Sequence, residues 1–354
     1  MKRLEKFKEV IRKVNADAFL ISSIPNIRYL SAFSGEEGFL ISVQDEIFII
    51  VDPRFTEQAN GEVQKDIKVI EYKGSFSEFL KNFLYEKKVH WLAFEKNHLD
   101  YSLYFSIEGA GFLKLIPLEN TIENMRIVKD EEELESLRSA ARISTLAFNE
   151  TLPLIKEGAS EREVAGELEY RFRKNGGEKP SFDTIIASGF RSALPHGVAS
   201  QKRIEKGEPI IMDFGVFCNG YASDTTRTLI IGQSTEEISR AYEIVKEAQE
   251  LGRAEAKSGV KASEVDAKVR TFLEKEGFGD KFTHGLGHGV GLEIHELPTV
   301  NQLSTSILKP GMVVTIEPGV YLPKMFGIRI EDTIIIKEEG IETITDITHD
   351  LIKL

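Results

Sequence analysis

Hydrophobic and polar residues alternate along the first part of the chain with two different periods. Apolar residues recur at helical spacing from Leu4 to Val14, and a continuous apolar run over 18–21 follows directly. The first pattern predicts a helix with one buried face, and the second predicts a buried strand. A helix followed by a buried strand is typical of a mixed α/β domain.

The same alternation continues to about residue 118. Apolar runs over 39–41 and 47–51 flank a short polar turn and predict a hairpin. Further strands are predicted over 69–71 and 91–94, with a helix over 76–83 between them. These elements define a compact α/β domain that carries no cluster of catalytic residue types.

The pattern changes between Asn120 and Asp130, where polar residues replace apolar ones. The acidic run Asp130-Glu131-Glu132-Glu133 then opens a long helix, because negative charge suits the positive end of a helix dipole. The capping box beginning at Ser160 starts the next helix, which Gly176-Gly177 ends. We therefore predict an α/β domain over 1–124 and a larger domain over 125–354.

Composition restricts the classes of function. A length of 354 residues suits two domains, and a net charge of −12 would repel nucleic acid phosphates. The start of the chain lacks the apolar stretch of a secretion signal, and no segment approaches the roughly 20 apolar residues of a membrane span. We expect a cytoplasmic protein that binds neither nucleic acid nor membranes. The single Cys218 agrees with a reducing compartment.

Two aspartates lie in a predicted hairpin of the second domain. Asn219-Gly220 joins two apolar strands and is the strongest short hairpin signal. In that register Asp213 faces Thr226, and Asp224 lies diagonally on the same face, about 7–8 Å away at Cα. Either acid alone is more often a turn or capping residue. Two acids on one apolar face require a cation, because unpaired buried carboxylates are costly.

A glycine-rich segment supplies histidines. Glycine occupies every second position from 285 to 291, around His288, which excludes a helix and lets a ligand or another backbone approach. His284, His295 and His196 also lie in segments that contain glycine and are poor in helix signals. A single histidine is usually a hydrogen-bonded core or surface residue, but four in such segments suggest a site.

Two glutamates follow on apolar strands near the end of the chain. The strand over 313–316 ends at Glu317, and residues 328–332 are predicted as its return strand. Alternation along that return strand directs Arg329 and Glu331 to one face and Asp332 to the other. A surface ion pair between Arg329 and Glu331 is the alternative interpretation.

Together these segments supply four carboxylates and one imidazole. The set is Asp213, Asp224, His288, Glu317 and Glu331. Its oxygen-rich chemistry suits a pair of divalent ions, with Mn²⁺ or Co²⁺ favoured and Zn²⁺ or Fe²⁺ as alternatives. Two such ions can deprotonate a shared water and activate a carbonyl for hydrolysis.

Several motifs make the whole chain resemble the pita-bread metallopeptidases, the family of creatinase, aminopeptidase P and prolidase. They are Met-Asp-Phe-Gly (212–215), Ser-Asp-Thr-Thr-Arg-Thr (223–228), His-Gly-Leu-Gly-His-Gly-Val-Gly-Leu-Glu-Ile-His-Glu (284–296), Thr-Ile-Glu-Pro-Gly (315–319) and Arg-Ile-Glu-Asp (329–332). The resemblance implies an α+β fold in which duplicated helix-plus-hairpin units surround a curved antiparallel sheet, behind a smaller creatinase-like α/β domain.

The resemblance also implies roles for individual residues. Asp213, Asp224, His288, Glu317 and Glu331 would hold two metals, with Asp224 and Glu331 bridging. His196 and His295 would be catalytic and steady the substrate carbonyl, and Glu317 would also handle a proton. His284 and Arg329 would bind the substrate beyond the scissile bond.

The complete N-terminal domain favours the proline-directed branch of the family. The sequence thus predicts an Xaa-Pro aminopeptidase, a hydrolase that releases an N-terminal residue before proline. An Xaa-Pro dipeptidase, or prolidase, is the near alternative, for which Arg329 and His284 could anchor the substrate carboxylate. A non-catalytic pita-bread binding protein is the remote one, since such proteins normally lose ligands. The family likeness further predicts a homodimer.

Overall fold

The structure is a computed structural model that describes residues 2–354. It divides into two compact units, Met1–Arg126 and Ile127–Leu354. The helices of the first unit are α1 (Lys2–Val14), α2 (Ile24–Ser31), α3 (Thr56–Glu62), α4 (Phe76–Glu86), α5 (Tyr101–Glu108) and α6 (Thr121–Arg126). Its strands are β1 (Ala18–Ile21), β2 (Phe39–Val43), β3 (Glu46–Val51), β4 (Ile67–Glu71), β5 (Trp91–Glu95) and β6 (Lys114–Leu118).

The first unit is built on one mixed sheet, with strand order β4-β3-β2-β1-β5-β6. The predicted hairpin is β2–β3, which is antiparallel and turns through Gln44 at φ 55°. Strands β1, β5 and β6 run parallel, and the side chains of Leu80 and Phe83 on α4 pack against the sheet. The α/β character predicted from the alternating periods is confirmed.

The second unit contains two helix pairs. Its helices are α7 (Glu131–Thr151), α8 (Glu161–Lys174), α9 (Glu236–Glu255) and α10 (Ala262–Lys275), with short 3-10 turns at Leu152–Leu154, Gly189–Ala193 and Gly279–Lys281. The predicted capping boxes are present at Asp130 and Ser160, where each side chain and the glutamate three residues later bond reciprocally to the backbone. Both helices therefore begin where the sequence signals place them.

Short strands fill the rest of this unit. They are β7 (Ile185–Ser188), β8 (Pro209–Phe214), β9 (Phe217–Cys218), β10 (Tyr221–Ala222), β11 (Thr225–Ile230), β12 (Gly287–Gly289), β13 (Glu296–Val300), β14 (Val313–Ile316), β15 (Gly319–Leu322), β16 (Phe326–Arg329), β17 (Asp332–Ile336), β18 (Ile341–Thr343) and β19 (Ile352–Lys353). The two main sheets have the orders β19-β11-β8-β7 and β13-β12-β14-β17-β18.

Each main sheet carries its own helix pair. Helices α7 and α8 share one hydrophobic cluster with β8, through residues such as Phe148, Phe172 and Phe214, while α9 and α10 share another with β14 and β17. This arrangement confirms the predicted duplication of a helix-plus-hairpin unit. Asp213 lies between Met212 and Phe214 of that cluster in sequence, so strand alternation directs it to the opposite face of the sheet.

No helix within residues 2–354 combines the length and the apolar character needed to cross a lipid bilayer.

Candidate metal centre

The first pair of acids lies on the hairpin predicted around Asn219-Gly220. Both turn residues adopt positive φ, 52° and 78°, which suits a two-residue hairpin turn. Asp213 pairs with Thr226, as the predicted register requires. Asp224 precedes β11 and is 5% exposed. The hairpin thus places both carboxylates on the sheet face away from helices α7 and α8.

The glycine-rich segment forms β12 between β13 and β14. A Cβ atom on Gly287 would lie 2.0 Å from the carbonyl oxygen of Thr315, and one on Gly289 would lie 2.3 Å from that of Leu297. Glycine is therefore required at these two positions because neighbouring backbone approaches closely, and not because a ligand does. His288 lies between them, and its backbone N–H donates to the Thr315 hydroxyl at 3.1 Å.

The prediction of a continuous return strand over 328–332 was wrong. Residues 326–329 pair with 319–322 as β16 and β15, and only from Asp332 does the chain pair with β14. Pro318 has no N–H, and after it the chain forms this local hairpin before it returns to β14. Glu331 lies in the break between β16 and β17, where its backbone N–H donates to the Thr226 carbonyl at 3.1 Å.

Four of the five predicted ligands have carboxylate or imidazole atoms in one small cluster. Ligand atoms of Asp224, His288 and Glu331 lie within 4.8 Å of one another. Nε2 of His288 is 3.5 Å from Oδ2 of Asp224 and 3.4 Å from Oε1 of Glu317. All five predicted ligands, Asp213 included, line one pocket of about 480 Å³.

The electrostatics of this cluster favour bound cations. Burial raises the pKa of Asp224 and Glu331 well above their ordinary values, and repulsion between the acids adds to the effect. Burial also raises the pKa of Glu317 to about 7. Among the described residues, none donates a hydrogen bond to Oδ1 of Asp213 or Oε1 of Glu331, although both atoms are buried. Buried carboxylate oxygens that accept no hydrogen bond are suitable ligands for hard divalent ions.

Arg329 is 3% exposed and makes contacts on several sides. Its guanidinium donates to Asp213, to the Tyr321 hydroxyl at 2.8 Å, to the Pro195 carbonyl at 3.0 Å and to the Thr226 hydroxyl at 3.1 Å. The ion pair of Arg329 is with Asp213 and is largely buried, so the alternative of a surface ion pair with Glu331 is wrong. Arg329 thus neutralises the carboxylate of Asp213.

The remaining predicted residues are histidines on the pocket wall. His196, His284 and His295 all line the pocket. Burial lowers the pKa of His284 to about 4, and its Nε2 lies 2.9 Å from the Tyr321 hydroxyl. Burial also lowers the pKa of His295, whose ring lies 4.4 Å from that of His288 between centroids. These shifts favour the neutral form of both rings, in which each has a single N–H. The N–H of His284 is donated by Nδ1 to the Gly285 carbonyl at 2.8 Å, and its Nε2 accepts from the Tyr321 hydroxyl.

Three further site residues are absent from the sequence predictions. The Thr226 hydroxyl donates to Oε2 of Glu331 at 2.6 Å, and that of Thr315 donates to Oε1 of Glu317 at 3.1 Å. Tyr321 bridges Arg329 and His284, and burial raises its pKa to about 12. Pairing with Asp213 in the hairpin was a usable signal for Thr226, whereas Tyr321 depends on the unpredicted hairpin β15–β16.

Comparison with known proteins identifies the class. Residues 135–338 match metallopeptidase family M24, and residues 3–128 match the creatinase/prolidase N-terminal domain. The chain belongs to metallopeptidase family M24, and the pita-bread resemblance found from the motifs is confirmed.

Individual relatives span almost the entire chain. An Xaa-Pro dipeptidase of Pyrococcus furiosus is 41% identical over 352 residues, which is 99% of each chain. The structure of an Xaa-Pro dipeptidase from Bacillus anthracis superposes with a TM-score of 0.96 at 38% identity, covering 100% of this chain and 99% of that one. The structure of an X-Pro aminopeptidase from Thermotoga maritima superposes with a TM-score of 0.90 at 40% identity. The match covers 98% of this chain and 100% of that one.

Proposed function

We propose that this protein is a metal-dependent Xaa-Pro dipeptidase. The observation that carries the proposal is the buried cluster of Asp224, His288, Glu317 and Glu331, in a chain about 40% identical over almost its full length to Xaa-Pro dipeptidases. The aminopeptidase activity expected from the sequence becomes the second candidate. Peptides that carry proline at the second position are the substrates in both cases.

The residues that would hold two divalent ions are Asp213, Asp224, His288, Glu317 and Glu331. Such ions supply a Lewis acid for the scissile carbonyl and lower the pKa of an attacking water. Mn²⁺ or Co²⁺ suits the oxygen-rich donors best, and Zn²⁺ or Fe²⁺ would also bind.

The protein groups around the cluster would act on the substrate itself. His196 and His295 line the pocket and would donate N–H groups to the carbonyl oxygen as negative charge develops there. Glu317 would accept a proton from the attacking water and pass it to the departing nitrogen. The bond before proline has no N–H, so a site that acts through the carbonyl loses nothing when proline follows.

The choice between dipeptidase and aminopeptidase depends on whether the pocket binds a free carboxylate after proline. Arg329 and His284 remain the proposed anchors. Arg329 already donates to Asp213, Tyr321, Pro195 and Thr226. Because these contacts use most of its N–H donors, few remain for a substrate carboxylate, and this observation favours the aminopeptidase. The similarity to the Thermotoga maritima aminopeptidase supports the same candidate.

A substrate comparison tests the assignment. The protein loaded with Mn²⁺ is expected to hydrolyse Ala-Pro with a kcat/KM at least about tenfold above that for Ala-Pro-Ala, because a longer peptide buries an amide where the carboxylate should lie. Hydrolysis is measured by release of free alanine from each peptide. A preference for the tripeptide would replace the dipeptidase by the aminopeptidase, and cleavage of neither would remove both.

We also propose a homodimer, on the family likeness alone. Light scattering of the purified protein is expected to give a mass about twice 39.8 kDa. A mass equal to one chain over the micromolar range would contradict it.

A further inference from the structure

We propose that Glu161 is the positioning residue for His196, and this inference rests on the catalytic role that the proposed function gives to His196. Glu161 is the first residue of α8 and is 0% exposed. The segment 188–200, defined here as the His196 loop, folds around its carboxylate. The geometry points to a clamp that fixes the backbone on both sides of the histidine.

The Glu161 carboxylate contacts the His196 loop at its beginning, near its middle and at its end. Oε1 accepts from the backbone N–H and hydroxyl of Ser188 at 2.7 and 2.9 Å. Oε2 accepts from Nε of Arg191 at 2.9 Å and from the backbone N–H and hydroxyl of Ser200 at 3.1 and 2.7 Å. Five donors satisfy the oxygens of a carboxylate, and the arginine compensates its charge.

Arg191 extends the clamp towards the histidine. Its Nη2 donates to the carbonyl of Val198 at 2.7 Å, and the Val198 N–H donates to the carbonyl of His196 at 2.9 Å. The imidazole of His196 is exposed to the pocket. These bonds hold the neighbours of His196 rather than its ring, so the position of the ring follows from the backbone that Glu161 fixes.

The second half of the unit repeats the arrangement. Asp266 on α10 is 0% exposed, accepts from Arg270 at 3.1 Å and accepts from the backbone N–H of Leu286 at 3.1 Å. Arg270 in turn donates to the carbonyls of Phe282 and His284, at 3.0 and 2.8 Å. In each half, a buried acid on the second helix and an arginine hold the loop that carries a pocket histidine. This recurrence favours a positioning role over chance packing.

The test is a double-mutant cycle between Glu161→Gln and His196→Ala in the Mn²⁺-loaded protein with Ala-Pro as substrate. Glu161→Gln is expected to lower kcat/KM about 100-fold, because a small displacement of a catalytic group has this cost. In the His196→Ala background the same substitution is expected to cost no more than about twofold, since its effect passes through the missing ring. Equal losses in both backgrounds would overturn the proposal.

Two controls separate positioning from folding. Glu163→Gln removes a carboxylate two residues away that caps the same helix at the backbone N–H of Ser160, at 2.7 Å, and it is expected to leave kcat/KM unchanged. Ser200→Ala removes one hydroxyl donor and is expected to give a smaller loss that also disappears without His196. This variant provides the test if Glu161→Gln fails to fold. A loss in Glu163→Gln as large as that in Glu161→Gln would count against the clamp.

Hydrogen exchange gives a readout that does not depend on activity. Glu161→Gln is expected to speed amide exchange in peptides from 188–200 and to leave those from 282–286 unchanged. Unchanged exchange in both segments would contradict the clamp. If the wild-type protein cleaves no Xaa-Pro peptide, the proposed function fails, and the exchange result still decides whether Glu161 fixes the loop.

Discussion

Replacing Asp224 by alanine is expected to abolish both metal uptake and cleavage of Xaa-Pro dipeptides. Asp224 is 5% exposed, lies 3.5 Å from Nε2 of His288 and belongs to the group whose ligand atoms lie within 4.8 Å of one another. The loss in kcat/KM should exceed about 100-fold, which is the upper range for residues that only support a ligand. Metal content and hydrolysis of Ala-Pro are measured on the same preparation.

Two further variants make this result interpretable. Asp224→Asn keeps the shape of the side chain but removes its charge, so it is expected to lose metal as Asp224→Ala does. Asp346→Ala makes the same truncation at an exposed position of the second unit and is expected to retain full metal content and activity. Turnover by Asp224→Ala within about tenfold of the wild type would contradict its role as a ligand.

Replacing Arg227 by methionine is expected to destabilise the second unit by about 3–5 kcal/mol, the usual cost of removing one partner from a buried ion pair. Arg227 is 1% exposed and pairs with Asp332 at 2.8 Å. It also donates to the carbonyl of Glu331 at 2.6 Å and to those of Ile347 and Thr348 at 2.7 and 2.9 Å. The free energy of unfolding is measured by denaturant titration of metal-free protein.

Lys246→Met is the matched control for that prediction. Lys246 pairs with Asp350, whose side chain is 83% exposed, and exposed pairs contribute about 1 kcal/mol or less. The variant should therefore unfold close to the wild type. If Arg227→Met lost no more stability than Lys246→Met, the buried pair of Arg227 with Asp332 would contribute no more than an exposed pair, and the prediction would be wrong.

Local signals account for the parts of the fold that the sequence predicted well. The hairpin around Asn219-Gly220 depends on two residues that accept positive φ, and the register between Asp213 and Thr226 follows from that turn alone. The capping boxes at Asp130 and Ser160 are equally local. In these segments the chemistry of three or four neighbouring residues decides the structure.

Features that depend on distant partners were not predictable in the same way. Glu331 lies in a break between β16 and β17, since these strands pair with different neighbours. Asp332 lies outside the cluster and pairs with the buried Arg227 at 2.8 Å, a contact between distant segments that local alternation does not predict. The hydrogen bonds from Arg329 to Asp213 and Tyr321 likewise join segments that are separated in sequence and meet only in the folded unit.

The activity predicted from the sequence shows the same limit. Motifs around the cluster identify the metallopeptidase family, because the chemistry of the metal ligands restricts their residue types. The choice between aminopeptidase and dipeptidase depends on the pocket beyond the scissile bond. His284 and Arg329 line this pocket, and the Tyr321 hydroxyl contacts both of them.

A calorimetric titration of metal-free protein with Mn²⁺ tests the central claim most directly. Asp213, Asp224, His288, Glu317 and Glu331 are expected to bind two ions per chain, and Asp224→Ala should lose this binding. A wild-type protein that takes up no divalent ion, from either Mn²⁺ or Co²⁺, would contradict the account.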